Sequence, residues 1–278
     1  MSQIGRWKAK LRRWALRRIA LPLVNREMER HGSHFYLYVP STDRLFPYRK
    51  FSQRVLGEAR TRVIGSDRWY QVLLKKDIHV ATAVDIGVNY GYTSCWLSRW
   101  ADRVFTFEPN PNNLAMVREH LAIRQITNVT LTESAISNTH GEAVLHVKSK
   151  DGHHSLSDVG ASETVRTITV PVTTLDRAAD RLGLDRIGLL KVDVEGFEPQ
   201  VFEGAAGLLE RHAIDLILFE HSPAFYRDRG IDPRSSIATL ERFGYRVTRL
   251  DGSAATEESL ADVWQTDLIA EPSARMAH

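Results

Sequence analysis

From about residue 79 onward, short apolar runs of strand length alternate with segments whose apolar residues recur at helical spacing. "HVATAVDIG" (79–87) is a run buried on both faces, and a helix is expected to follow it near Tyr92. "RVFTFEP" is a second strand. Asn110 and Pro111 then supply an N-cap and a first-turn proline for a helix carrying Leu114, Val117 and Leu121. "NVTLTESAI" reads as a third strand. Between 138 and 173 the rhythm breaks: "EAVLHVKS" and "TVRTITVPV" are β-branched strand material around a polar loop, "KDGHHSLSD". Alternation resumes with a helix over "TLDRAADRLG", a strand over "IGLLKVDVE", a helix from about Pro199 and a strand over "DLILFE". A helix near 233–243 precedes two more strands, "YRVTRL" and "TDLIA".

Strands that alternate with helices pair in parallel, because each crossover helix returns the chain to the same edge. The expected architecture is therefore α/β: a Rossmann-like, doubly wound, mostly parallel sheet of about seven strands with the last one antiparallel. An N-terminal helical extension and a small β insertion complete it. The pattern divides the chain into an arm (1–32), a cap segment without a clear motif (33–80), a main domain (81–272) interrupted by the insertion at about 138–173, and a tail (273–278).

Charge changes the picture at one place. Of 37 lysines and arginines, seven fall in the first twenty residues, which hold no acid; the remaining 30 face 34 acidic residues. Basicity is thus concentrated in the arm rather than around a cleft, which argues against a nucleic-acid enzyme. In that arm Ile4, Trp7, Leu11 and Trp14 recur at helical spacing, with cations between them and Pro22 closing the segment. Tryptophans beside arginines suit a peripheral membrane contact through residues 1–22; packing on the body or on a second subunit is the alternative. Arg17 and Arg18 interrupt the centre of any secretory signal, whereas a mitochondrial presequence shares the Arg-rich, acid-free character. No apolar run reaches the roughly 18–20 residues needed to span a bilayer. The single cysteine, Cys95, excludes an internal disulfide and a cysteine-based structural zinc site. A cytoplasmic location is expected, at the inner face of the membrane if the arm binds there.

The candidate chemistry begins at "VDIGVNYGYTS". A dinucleotide loop needs G-x-G-x-x-G to bring a helix N-terminus against a diphosphate. This chain has D-x-G-x-N-x-G: Asp85, Gly87, Asn89 and Gly91. Gly87, ending the first strand, lets backbone approach a ligand without a Cβ. Glu108, ending the second strand, stands where an acid can accept both hydroxyl protons of an adenosine ribose. With no second glycine for a pyrophosphate, a small zwitterion on an adenosine fits better, and S-adenosylmethionine is such a molecule.

The segments "VDIGVNYGYTS", "FEPNP", "VPVTTLD" and "LLKVDVEGFEPQVFEG" resemble the FkbM-type methyltransferases, a family that uses S-adenosylmethionine and typically methylates hydroxyls. The resemblance runs from about Val84 to Glu220, half the chain, and its most specific element is the K-x-D-x-E-G-x-E run. Val88 departs from the alanine common in the family. Carried over, the resemblance implies that Asp85, Gly87, Asn89 and Gly91 form the cofactor loop, that Glu108 holds the ribose, and that Ser134 and Ala135 lie near the adenine. His153, His154 and Ser155 fall in a loop resembling a lid, which makes them candidate substrate contacts.

Methyl transfer to oxygen requires alignment of donor and acceptor and removal of the hydroxyl proton. On the fourth strand Lys191 and Asp193 share one face, and a charged pair in a central strand is costly unless its members pair. Asp193, Glu195 and Glu198 reach the carboxyl end together. Asp193 is the first candidate for a general base, with Lys191, Glu195, Glu198 and His221 as the other catalytic candidates. Asp193 and Glu220 also offer hard oxygen ligands for a divalent metal such as magnesium. The fourth strand lacks the Asn/Asp-Pro-Pro-aromatic run expected of nucleobase N-methyltransferases. The expected function is an O-methyltransferase acting on a hydroxyl, with a carbohydrate or glycolipid acceptor and no nucleic acid. The rival readings are a membrane-associated scaffold that binds the cofactor without turnover and a methyltransferase of a polyketide-type small molecule.

Overall fold

The computed structural model describes residues 34–39, 44–49, 78–123, 125–148, 155, 156, 158, 164–260 and 263–273. The arm, His153, His154 and residues 274–278 lie outside the described residues, as does most of the cap segment. The chain divides into two compact units, Met1–Asp67 and Arg68–His278. In the first, β1 (His34–Val39) and β2 (Arg44–Arg49) pair antiparallel, His34 opposite Arg49 and Val39 opposite Arg44. The sequence pattern gave no sign of this hairpin.

The second unit is built on a seven-stranded sheet. Its strands are β3 (Val80–Ile86), β4 (Ala101–Phe107), β5 (Val129–Thr132), β9 (Leu189–Val192), β10 (Ile217–His221), β11 (Tyr245–Arg249) and β12 (Thr266–Pro272). Their order across the sheet is β11-β12-β10-β9-β3-β4-β5. Only β12 runs against its neighbours, pairing antiparallel with both β10 and β11. Seven strands with the last reversed is the architecture the pattern predicts. After β3 the chain builds outward through β4 and β5, then returns to place β9 on the other side of β3. This reversal opens a crevice at the carboxyl ends of β3 and β9, where ligands bind in doubly wound sheets.

Both faces of the sheet are apolar, which is why its strands read as continuous runs. Val84, Ile86, Leu190, Val192, Ile217 and Phe219 belong to one core cluster, and Ala83, Val104, Leu189, Leu216, Leu218 and Ile269 to another. Successive residues of one strand thus enter opposite layers. In the first cluster Phe202 and Phe219 meet edge to face, with centroids 5.3 Å apart; truncating such a buried ring costs roughly 3–5 kcal/mol.

The helices start where local chemistry permits. α1 (Tyr92–Leu97) follows the left-handed Gly91. α2 (Pro111–Ile123) opens on Asn110, whose side-chain oxygen accepts from Asn112 N at 3.1 Å. α3 (Leu175–Leu182) is capped by the Thr174 hydroxyl, which accepts from Arg177 N, and ends on the left-handed Gly183. The helix expected from Pro199 begins one residue earlier and comes in two pieces, α4 (Glu198–Glu203) and α5 (Ala206–Glu210). α7 (Ser235–Arg242) matches the expected final helix. Two short helices escaped the pattern, α6 (Pro223–Asp228) and α8 (Glu257–Leu260).

One strand is corrected. "NVTLTESAI" does not continue as a unit: β5 ends at Thr132, and β6 (Ala135–Ile136) joins a second sheet with β7 (Gly141–Lys148) and β8 (Thr164–Thr173), in the order β6-β8-β7. The Ser134 hydroxyl donates to Ala135 O at 3.0 Å and Pro171 O at 3.2 Å, and Ser137 N donates to Thr173 O at 2.9 Å. These bonds pull the segment away from β5 and onto β8. The insertion is therefore a hairpin whose β8 pairs antiparallel with β7 and parallel with β6.

Candidate active site

The crevice is organised by one buried lysine. Lys191, on β9, sends its Nζ to the carbonyl oxygen of Gly87 at 2.9 Å. The same ammonium lies 3.4 Å from Asp85 Oδ1 and 3.4 Å from Asp193 Oδ2. Burial weakens the ammonium's hold on its proton, but the charges of Asp193 and Asp85 outweigh it and raise its pKa. The other Asp85 oxygen accepts from the Ser94 hydroxyl at 2.6 Å, which ties β3 to α1. Burial raises the Asp85 pKa while Lys191 and Ser94 oppose the rise. The pairing of Lys191 with Asp193 expected from the strand face is present, and Asp85 joins it. Asp193 itself lies just past the strand, where its N–H still donates to Ile86 O at 3.1 Å.

Gly87 has a use that its sequence did not reveal. Its φ is +79°, and a Cβ there would stand 1.8 Å from the carbonyl oxygen of Asp193. The glycine is needed first for the approach of two backbones, β3 to the end of β9, rather than for the approach of a ligand. Asn89, with φ +51°, donates its N–H to Glu108 Oε2 at 2.8 Å. Glu108 Oε1 accepts from Asn110 N at 2.9 Å and from the Asn113 side chain at 3.3 Å. Burial pushes the Glu108 carboxyl up to about 7 against the pull of these donors. Asn89 Oδ1 is buried and has no hydrogen-bond partner among the described residues. An orphaned acceptor beside Glu108 costs about 1–3 kcal/mol until a donor reaches it. An ammonium or a ribose hydroxyl would supply that donor, so the loop fits an adenosine bearing an amino acid.

The turn after β9 carries the acids. Glu195 takes a left-handed φ of +52°, unusual for a residue with a side chain, and Gly196 follows at +94°. Glu198 holds this turn from below: its Oε1 accepts from Val194 N at 3.1 Å and Gly196 N at 3.2 Å, and its Oε2 from the Tyr226 hydroxyl at 2.9 Å. Burial pushes the Glu198 carboxyl up to about 7. Arg229 donates to Gly196 O and stacks on the Phe197 ring, 3.6 Å from its centroid. The result is a braced turn whose upper side presents Asp193 and Glu195. With Glu220 they offer three carboxylate oxygens within 4.8 Å of one another. Glu220 accepts from the Gln265 side chain, and burial together with the charges of Asp193 and Glu195 raises its pKa well above the ordinary range. The Asp193 side chain remains 36% exposed, open to an incoming group.

Several candidates are placed elsewhere. Glu198 is fully buried with both oxygens engaged, so it braces the turn and does not meet substrate. His221, 1% exposed, turns inward: its Nδ1 meets Ser236 Oγ at 2.9 Å, and its ring packs on Phe219 and Tyr226. Burial lowers its pKa to about 4, leaving it neutral. It has no place in the catalytic set. Ser134 and Ala135 are buried where the small sheet begins, the serine hydroxyl spent on backbone carbonyls, so any ligand contact there falls to backbone. Ser155 is buried, with its backbone bridging His146 on β7 at 2.8 and 3.2 Å. Ser94, Asn113, Tyr226, Arg229 and Gln265 were not singled out by the sequence. Ser94 alone left a signal, at the end of the glycine segment.

A family model for the methyltransferase FkbM domain matches residues 85–247. The chain is similar to the hexuronic acid methyltransferase AglP of Haloferax volcanii, 27% identical over 172 residues, covering 60% of this chain. It spans just under two thirds, 65%, of that relative's length. Among solved structures it is similar to the methyltransferase FkbM of Methylobacillus flagellatus (15% identity, TM-score 0.45, covering 69% of this chain and 43% of that one). It is also similar to precorrin-6y C5,15-methyltransferase of Geobacter metallireducens (15% identity, TM-score 0.42, covering 73% and 86%).

Proposed function

This chain belongs to the methyltransferase FkbM domain family, and on that premise we propose that it transfers a methyl group from S-adenosylmethionine to a hydroxyl of a sugar in a glycan or glycolipid. The observation that carries the reading is Asp193, a partly exposed carboxylate on the rim of the crevice, 3.4 Å from a buried lysine that also grips the Gly87 carbonyl. The similarity to a hexuronic acid methyltransferase supports a sugar as the acceptor class.

S-adenosylmethionine supplies the methyl carbon as an electrophile on a positively charged sulfur, which leaves as a neutral thioether and needs no acid. What remains for the protein is to hold both partners and to take one proton. Asp85, Gly87, Asn89 and Gly91 shape the loop, and Glu108 and the unpartnered Asn89 oxygen offer acceptors for ribose hydroxyls and the ammonium. Asp193 accepts the hydroxyl proton as the acceptor oxygen bonds to the methyl carbon. Lys191, 3.4 Å from Asp193 Oδ2 and bonded to the Gly87 carbonyl, fixes the position of that carboxylate relative to the loop. Glu195 and Glu220 accept hydrogen bonds from neighbouring hydroxyls and orient the ring.

The three carboxylates support a second use: a magnesium ion held by Asp193, Glu195 and Glu220 would acidify the hydroxyl directly. A chelator that stops turnover, with restoration by magnesium, selects this reading; chelator-resistant turnover selects the base.

The experiment that tests the function is incubation of glycan and lipid extracts with methyl-labelled cofactor, followed by mass analysis. Label in a sugar ether supports the reading. Label in a non-sugar small molecule favours the polyketide-type alternative, and cofactor binding with no labelled product favours a scaffold. A peripheral membrane contact through residues 1–22 belongs to the same proposal, since it would bring a lipid-linked acceptor to the crevice. Among the described residues no helix is long and apolar enough to cross a membrane. Deleting residues 1–22 should abolish binding to anionic vesicles while preserving cofactor affinity; vesicle binding that survives the deletion removes the membrane role.

A further inference from the structure

An aromatic side chain stands at the rim of the acid cluster without an assigned task. Trp264 is 55% exposed, and the other large apolar side chains this open among the described residues, Val144 and Val165, lie in the insertion hairpin. Its position is fixed by the sheet. β12 begins at Thr266, opposite His221, and Asp267 pairs with Glu220, so the residues just before β12 sit at the carboxyl edge beside the end of β10. Gln265 donates to Glu220, one of the three clustered carboxylates. The Trp264 ring is backed edge-on by Phe225, with centroids 5.4 Å apart and planes at 61°. Phe225 in turn rests on the turn that carries Glu195: a Cβ on Gly196 would come within 2.6 Å of the Phe225 Cβ. Phe225 and the braced turn thus support the indole from behind, and a large part of its surface stays open.

We propose that Trp264 is the stacking platform for the acceptor's sugar ring, an inference that rests on the sugar reading above. A pyranose carries hydroxyls around its rim and C–H groups on its faces. The negative face of an indole attracts such C–H groups, and carboxylates accept hydrogen bonds from the rim hydroxyls. Trp264, next in the chain to Gln265, which bonds Glu220, and backed by Phe225 against the Glu195–Gly196 turn, brings an aromatic face and the carboxylates to one edge of the sheet. Stacking holds the sugar at the rim with binding that the ground state and the transition state share, so its loss appears in KM. Trp264 is a substrate-binding residue and takes no part in proton transfer.

The test uses the full chain with methyl hexosides and methyl hexuronides, whose aglycones cannot stack. In wild type, proton NMR of the bound glycoside should show ring C–H signals shifted upfield by the indole. Trp264→Ala should abolish that shift and raise the glycoside KM on the order of tenfold, with kcat and S-adenosylhomocysteine affinity unchanged. Trp264→Phe should recover most of the loss. Wild-type methylation of a glycoside without an upfield shift, or a Trp264→Ala KM within about twofold of wild type, overturns the platform and leaves the sugar reading intact. A wild type that methylates only non-sugar acceptors overturns both.

Discussion

The Lys191 ammonium donates a 2.9 Å hydrogen bond to the carbonyl oxygen of Gly87, a residue 104 positions earlier in the chain. Because the same ammonium lies 3.4 Å from both Asp85 and Asp193, one side chain joins the cofactor loop to the proposed base. Lys191→Met keeps much of the volume but leaves two carboxylates facing each other with nothing between. Breaking a buried pair in this way costs about 3–5 kcal/mol. The variant should melt well below wild type and bind S-adenosylmethionine more weakly in calorimetry. Wild-type melting and affinity would show that the ammonium does not couple the two halves.

Gly87→Ala inserts a methyl group where the Asp193 carbonyl stands, at a backbone angle that favours glycine. The loop and the end of β9 must separate, which moves the loop and Asp193 apart. Cofactor affinity and turnover should both collapse, even in a variant that retains its circular dichroism spectrum. A fully active Gly87→Ala protein would mean that β3 and the end of β9 are not in this contact.

Glu108→Ala removes the acceptor of the Asn89 and Asn110 N–H groups as well as the proposed ribose contact. Losing hydrogen bonds to a charged group should weaken S-adenosylmethionine binding by about 2–3 kcal/mol. Calorimetry on the folded variant checks this, and unchanged affinity would detach Glu108 from the cofactor.

Glu198 predicts a pH dependence of stability. Burial raises its carboxyl from 4.5 to about 7 in the folded chain. A raised folded pKa gives stability that is fully present below 4.5 and lost as pH rises through about 7. Glu198→Gln mimics the protonated form, and its carbonyl can still accept from Val194 and Gly196. The wild type should therefore lose stability relative to Glu198→Gln between about pH 4.5 and 7, on the order of 3 kcal/mol in total. His221, with its lowered pKa, acts in the opposite direction as pH falls below 6.5. That contribution is common to both proteins and cancels in the difference. A pH-independent difference in denaturant unfolding would contradict the buried, raised carboxyl.

Much of this arrangement was legible in the sequence because it follows strand ends. The apolar runs fixed the seven strands, and residues at their carboxyl ends, Gly87, Glu108, Asp193 and Glu220, had to face one crevice. What escaped was set by contacts between distant segments. Glu198 and Asp193 belong to one charged run, yet the left-handed turn at Glu195 and Gly196 sends one under the loop and the other onto its rim. His221 follows Glu220, but strand alternation turns it into the core against Ser236. Trp264 and Gln265 carry no motif; antiparallel pairing of β12 with β10 alone brings them to the site. The same kind of long-range pairing took Ala135 and Ile136 out of the third strand and gave them to β8.

Asp193 is proposed to take the acceptor's proton during methyl transfer. Asp193→Asn preserves size and shape and removes the charge, so the decisive measurement is its single-turnover rate with a methylated-glycan acceptor precursor at saturating S-adenosylmethionine. The rate should fall by about 10²–10⁴-fold in a variant that melts and binds cofactor nearly as wild type does. A stable, cofactor-binding Asp193→Asn enzyme that turns over at the wild-type rate would contradict it.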